Sequence, residues 1–317
     1  MTVSVEQQCP LCSGSQLTRH LKAALPSEQC RAETYRCTSA QYGHHSEILR
    51  CLDCRFVFLK ERPTAEDLTQ LYSDVEDPVY ECEEAGRRVT FDAHLLRLEG
   101  VVGPPAGRRL LDVGAYTGVA VEVATKRGWQ AVGVDPCRWA VESGRRRGRQ
   151  LILGTPADAT VKALGPFDTV TLWDVIEHLA DPEAVLMAVC SLLRPGGYVV
   201  IHTMDVDSAF ARLAGRRWPW YMEMHLSYFS PKTLSQLLRN VGFEPVHKEH
   251  RGRSVSAGYL ASRLTALAPL IGRPAERVVA WLGFADHLVH VGFGDLFTMV
   301  ARRSSDTLAE SGYQAVV

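Results

Sequence analysis

Long apolar runs are missing from this sequence. No stretch reaches the roughly 18 to 20 consecutive apolar residues that a membrane span needs, so a helical membrane protein is not expected. The start, MTVSVEQQCP, lacks a basic segment followed by an apolar core, and the chain is expected to be cytoplasmic. A surplus of either charge is missing too: 35 Lys and Arg face 36 Asp and Glu, for a formal net charge of −1. That balance counts against a nucleic-acid partner. The local basic cluster Arg145, Arg146, Arg147 and Arg149 follows an expected helix from Trp139 to Arg147 and reads as a solvated helix end. With 317 residues, 46% of them hydrophobic, the chain has room for a full α/β domain and additions to it.

Cysteine, in contrast, is plentiful. Nine cysteines in a cytosolic setting point to metal binding or burial and not to disulfides. Cys9-Pro-Leu-Cys12 and Cys51-Leu-Asp-Cys54 can each wrap a tight turn that aims two thiolates at one tetrahedral ion. Together they predict a structural Zn2+ site in an N-terminal ribbon, residues 1–62, with a redox pair as the alternative. Four thiolates leave no position for water or substrate, so such a metal holds the module together. Cys30 and Cys37, in the long insertion between the pairs, are left outside the metal shell. A helical linker or lid is expected over 63–107, with Leu68, Leu71 and Tyr72 at helical spacing and a longer helix from Glu83 to Gly100.

The stretch from Arg108 to Pro136 organises the rest. Leu110 to Val113 reads as a buried strand, Gly114 to Gly118 as a turn, and Val119, Val123 and Ala124 as one face of a helix. Ala131 to Val134 form a second strand ending on Asp135, which can accept both hydroxyls of a ribose. The G-x-G-x-x-G pattern of dinucleotide sites is absent from this turn. Further strands are expected at Leu151 to Leu153, Phe167 to Trp173, Tyr198 to His202, Glu244 to Lys248 and Leu296 to Ala301. Asp181 and Pro182 should start a helix as cap and first-turn proline, as should Ser230 and Pro231.

LDVGAYTG resembles the first motif of the class I S-adenosyl-L-methionine (SAM)-dependent methyltransferases, LDxGxGxG, with Tyr116 in place of the middle glycine. FDTVTLWDVIEHLADP and LLRPGGYVVIHT resemble the later motifs of the same class. The resemblance implies a Rossmann-like, seven-stranded α/β fold over 108–303, whose last strand is antiparallel. It places Asp112, Gly114, Tyr116 and Gly118 around the methionine end of SAM, Asp135 on the ribose, Asp158 or the backbone near Thr155 on the adenine, and Trp173 at the cofactor. The helix ahead of the domain covers the cofactor's entrance in this class, so Tyr72 and Tyr80 are lid candidates. His178, just past the fourth strand, and His225 are the candidate general bases, since a neutral imidazole can take a hydroxyl's proton.

Trp218, Trp220, Tyr221 and Tyr228 crowd one loop over the carboxyl edge of the sheet and are expected to form an aromatic substrate wall. HLSYFSPKTLSQLLRNVGF, behind a cysteine ribbon, is similar to methyltransferases of cell-surface polysaccharide and deoxysugar pathways. The sugar C-methyltransferases among them carry YxEHxxYFS. Here Met222 and Met224 stand at its tyrosine and glutamate positions, which favours transfer to a sugar hydroxyl of a glycan, nucleotide sugar or glycosylated metabolite. C-methylation of a keto sugar, a lipid or quinone-like acceptor, and a non-catalytic SAM-binding scaffold remain alternatives. A helical insertion over 255–291 carries apolar stripes beside Arg263, Arg273 and Arg277. It is expected to pack on the domain or in a homodimer, or to meet a membrane face or lipid-linked substrate. Residues 304–317 read as a tail.

Overall fold

A computed structural model describes residues 7–24, 35–73 and 75–304 of the chain. Cys30 and the tail beyond Ser304 lie outside the described residues. Strands β1 (Leu17–Leu21), β2 (Ile48–Cys51) and β3 (Val57–Leu59) form an antiparallel N-terminal sheet. Helices α1 (Ala65–Ser73), α2 (Pro78–Cys82) and α3 (Glu84–Val102) follow. Asp77 caps α2, its carboxylate accepting the Tyr80 N–H at 3.2 Å, and α3 buries Leu95, Leu98 and Val102.

The chain then alternates strands and helices: β4 (Arg109–Val113), α4 (Val119–Lys126), β5 (Gln130–Asp135), α5 (Arg138–Arg146), β6 (Leu151–Leu153) and α6 (Ala159–Lys162). Strand β7 (Phe167–Trp173), α7 (Pro182–Leu192) and the long β8 (Leu193–Met204) continue the pattern. Asp181 and Pro182 start α7 as expected, with Asp181 accepting the Ala184 N–H at 2.9 Å. Next come α8 (Ala209–Ala214), the two-residue β9 (Ser227–Tyr228), α9 (Pro231–Asn240) and β10 (Phe243–His250). A β11 (Arg253–Ser256) and β12 (Leu288–Val291) stem carries the helical pair α10 (Ala257–Leu267) and α11 (Pro269–Trp281), and β13 (Leu296–Arg303) closes the fold.

The main sheet has seven strands in the order β10-β13-β8-β7-β4-β5-β6. Strands β4 to β8 run parallel, whereas β13 is antiparallel to both of its neighbours. This is the Rossmann-like methyltransferase sheet that the motifs imply. Strand order reverses between β4 and β7, so the carboxyl ends of these strands open a crevice at that point. Alternation along the strands feeds two cores. Leu111 and Val113 face α7, α9 and the N-terminal sheet, while Leu110 faces α3 and α4. Leu234, Leu237 and Leu238 of α9 are buried, each contributing about 2 kcal/mol by leaving water.

Three expectations change here. The N-terminal sheet is not a separate module: β9 pairs antiparallel with β3, Val57 opposite Tyr228 and Phe58 opposite Ser227, making a four-stranded sheet shared with the catalytic region. The basic cluster is not simply solvated. Arg149 is buried, with its guanidinium 2.8 Å from Glu84 and 2.7 Å from Glu122, and it donates to the Thr117 carbonyl at 2.8 Å. Arg147 pairs with Glu81 at 2.9 Å. These pairings tie α2, α3 and α4 to the glycine turn. The α10–α11 pair turns Leu270 and Trp281 outward, 93% and 84% exposed, so those apolar positions do not pack on the domain. Among the described residues no helix is long and apolar enough to cross a membrane.

Candidate active site

At the crevice lies a cavity of about 390 Å³. Its floor is built from the ends of β4 to β7, through Val113, Gly114, Asp135, Gly154 and Asp174, and α1 lays Leu68, Thr69 and Tyr72 over it. Gly114 has φ 69°, and a Cβ there would come within 2.5 Å of Val175 Cγ2, so this turn accepts no side chain without moving the opposite wall. Tyr116 holds φ 50°, the left-handed conformation that a glycine would take at this place in the motif. Its ring is packed edge-on against Tyr80 at 4.5 Å. Asp174, also on the wall, has φ 54°. Two strained non-glycine residues thus meet at one cavity, the pattern expected where backbone shape serves a site.

Asp135 stands on the wall with one oxygen accepting the Tyr116 N–H at 2.7 Å and the other the Cys137 N–H at 2.8 Å. Burial pushes its carboxyl up to about 6, although both backbone donors favour the ionised form. Asp112 is buried beneath the floor. Burial raises it to about 7, against the Thr171 hydroxyl that donates to it at 2.6 Å. Gly118, with φ 77°, starts α4 from behind the turn. Asp112 and Gly118 therefore shape the turn and are not themselves on the cavity wall.

Asp158 is also off the wall. Its carboxylate folds back to accept from Thr155 N at 2.8 Å and Thr155 Oγ1 at 3.1 Å, which leaves the backbone of residues 154–157 facing the cavity. Trp173 points to the other face of the sheet, against Phe91 and His94, and lines a separate cavity of only about 60 Å³. The alternation along β7 puts Trp173 and the cavity on opposite sides.

The aromatic wall is displaced more completely. Trp218, Tyr221 and Tyr228 are buried and Trp220 half-buried, and none borders the larger cavity. Trp218 and Trp220 both donate their indole N–H to Asp295 at 2.9 Å, Tyr221 Oη meets His20 at 2.8 Å, and Tyr228 donates to the Met222 carbonyl at 3.2 Å. The β3–β9 pairing draws this loop into a core against the N-terminal sheet. From the same loop, only Met224 reaches the cavity.

His178 does line it. Its Nδ1 lies 3.0 Å from the Met224 carbonyl and 3.1 Å from Tyr72 Oη on α1. His225 is buried just behind, its ring 4.8 Å from that of His178 and its Nδ1 2.7 Å from the Trp220 carbonyl. Glu177, absent from the sequence reading although it stands in the EH dipeptide, joins them. Burial lowers His178 to about 4 and His225 to about 3, and raises Glu177 to about 8, so burial favours the neutral form of all three at pH 7. Cys37 lines the cavity too, contributed by the insertion between the cysteine pairs.

At the far end of the N-terminal sheet the four sulfurs of Cys9, Cys12, Cys51 and Cys54 lie within 4.8 Å of one another, with Cys9 to Cys54 at 3.5 Å and Cys12 to Cys51 at 3.7 Å. A tetrahedral ion at about 2.3 Å from each sulfur spaces them about 3.8 Å apart, so the donor set fits Zn2+. Each pair sits on a tight turn, Ser13 N donating to the Cys9 carbonyl at 2.8 Å and Arg55 N to the Cys51 carbonyl at 3.1 Å.

The chain is similar to known methyltransferases. A ubiquinone biosynthesis O-methyltransferase of Ruegeria pomeroyi is 33% identical over 162 residues, covering 47% of this chain and 65% of the relative. The one from Xanthomonas axonopodis pv. citri is 31% identical over 155 residues, covering 44% and 64%. The chain thus spans less than two thirds of the length of these relatives. A SAM dependent methyltransferase structure from Archaeoglobus fulgidus aligns over 72% of this chain and all of its own with a TM-score of 0.47 and 20% identity. The family described as "Methyltransferase domain" matches residues 84–248, just over half of the 317 residues, and the chain belongs to the class I SAM-dependent methyltransferases.

Proposed function

We propose that this protein is an O-methyltransferase that uses SAM to methylate a hydroxyl of a small, flat acceptor of the quinone-like kind. The observation that carries the reading is the single cavity with Gly114 and Asp135 on one part of its wall and His178 on another, with Glu177 and His225 buried behind His178. Gly114, Tyr116 and Asp135 would hold the cofactor, the backbone of residues 154–157 its adenine, and α1 its cover. When bound, SAM supplies an electrophilic methyl group. Removal of the hydroxyl proton falls to the cluster at His178, whose Nδ1 is held by the Met224 carbonyl so that the ring keeps one orientation.

The quinone-like acceptor is favoured over a sugar on two grounds. The relatives bear the name of an O-methyltransferase of ubiquinone biosynthesis. The tryptophans and tyrosines that supported sugar stacking are committed to a core elsewhere. The four cysteines are assigned a structural zinc ion that fixes the sheet carrying β3. Incubation with SAM and a panel of catechols, quinols and nucleotide sugars, followed by mass spectrometry, tests this reading. A gain of one CH2 unit on oxygen of a phenolic acceptor, with none on the sugars, is expected. Methylation confined to sugars, or to carbon, would overturn the acceptor assignment.

A further inference from the structure

Glu177, His178 and His225 each bring a ligand-type atom within 4.8 Å of those of the other two. The histidines approach from different segments, His178 from the turn after β7 and His225 from the loop before β9, with their rings at 67° to one another. Each Nδ1 rests on a backbone carbonyl. A carbonyl can only accept, so each Nδ1 carries the proton and each Nε2 keeps a lone pair. Imidazoles that bind a metal through one nitrogen are anchored through the other in this way. Thr203 Oγ1 donates to Glu177 Oε2 at 2.9 Å, which fixes the third group. No lysine or arginine forms a salt bridge with this buried carboxylate among the described residues. Burial therefore favours the neutral acid while this site is empty, and a cation beside it would supply the charge that lets it ionise.

We infer that Glu177, His178 and His225 bind one divalent cation at the cavity wall, where it receives the acceptor hydroxyl. Its binding stands on this geometry alone, whereas its part in the reaction rests on the O-methyltransferase reading. Two imidazole nitrogens and one carboxylate oxygen leave open positions on a first-row divalent ion. A hydroxyl in one of them gives up its proton to water at a much lower pH than it does free. The resulting oxyanion then forms the new oxygen–carbon bond while the carbon–sulfur bond of the donor breaks. The electron pair stays on sulfur, leaving a neutral thioether and a methyl ether. The cluster at His178 thus removes the proton through the bound cation, with His178 as a ligand and not as a free imidazole base.

Titration of the full chain with Mn2+, followed by the loss of the free-ion electron paramagnetic resonance signal, tests the site without SAM or acceptor. The cysteine site is kept loaded with zinc, since Mn2+ prefers nitrogen and oxygen donors to thiolates. One Mn2+ should bind per chain. Glu177→Gln keeps the shape of the side chain and an acceptor for Thr203, and should weaken binding by about tenfold or more with the fold intact by circular dichroism. His225→Gln serves as a second variant with the same expectation. A folded wild-type protein that takes up no Mn2+, or a Glu177→Gln protein that binds it as the wild type does, would overturn the inference. No methyl transfer enters the readout, so failure of the O-methyltransferase reading would leave a positive titration standing.

Discussion

Asp135 serves the backbone and the cavity at once. Each of its oxygens already accepts one N–H, from Tyr116 or Cys137, and each retains a lone pair for a ligand hydroxyl. Its ionised form is the one that accepts twice, and burial places its pKa at about 6. S-adenosylhomocysteine affinity should therefore hold from pH 8 to 7 and fall by roughly tenfold per unit below the pKa, as read by calorimetry across that range. The fold is not lost in that window. Because the folded value lies above the ordinary 3.8, protonation of this group stabilises the folded state as pH drops through 6, and the gain is complete below about 4. Asp135→Asn keeps one acceptor and should weaken affinity by about tenfold. Asp135→Ala also strands two buried N–H groups and should lose about 1–3 kcal/mol of stability for each.

At the scale of elements, the glycine turn and the β3–β9 pairing carry the site. Gly114→Ala introduces a Cβ at 2.5 Å from Val175 and forces a left-handed φ on alanine, and should cost about 1–3 kcal/mol in denaturant unfolding with a matching loss of cofactor affinity. Strands such as Leu151–Leu153 and Phe167–Trp173 were legible to the residue, because short apolar runs bounded by turn residues admit few alternatives. The turn was legible despite Tyr116, since its neighbours fix a left-handed position that tyrosine can occupy under strain. The aromatic loop was not. Trp218, Trp220, Tyr221 and Tyr228 look the same in sequence whether they line a pocket or fill a core, and a strand lying far earlier in the chain decides between them. Glu177 escaped for a related reason: its meaning comes from His225, which only the tertiary fold brings near.

On the scale of the whole molecule, the cysteine sheet, α1 and the seven-stranded sheet form a continuous structure. Arg62, just past β3, donates to the Leu179 and Ala180 carbonyls at 3.1 and 2.8 Å, binding the segment before α1 to the one after β7. Metal at the four cysteines should thus support the cofactor cavity from a distance. Stripping zinc with a chelator, or Cys51→Ser, should lower the melting temperature and weaken S-adenosylhomocysteine binding together, whereas a detached ribbon would change neither. The central claim is that the cavity under α1 is a SAM site held by the turn at Gly114 and the carboxylate of Asp135. Calorimetric titration of S-adenosylhomocysteine into the wild type and into a folded Asp135→Asn protein at pH 7.5 tests it most directly. Binding at one site per chain that weakens by about tenfold in the variant is the predicted result; no binding to the wild type, or equal affinity in both proteins, would contradict it.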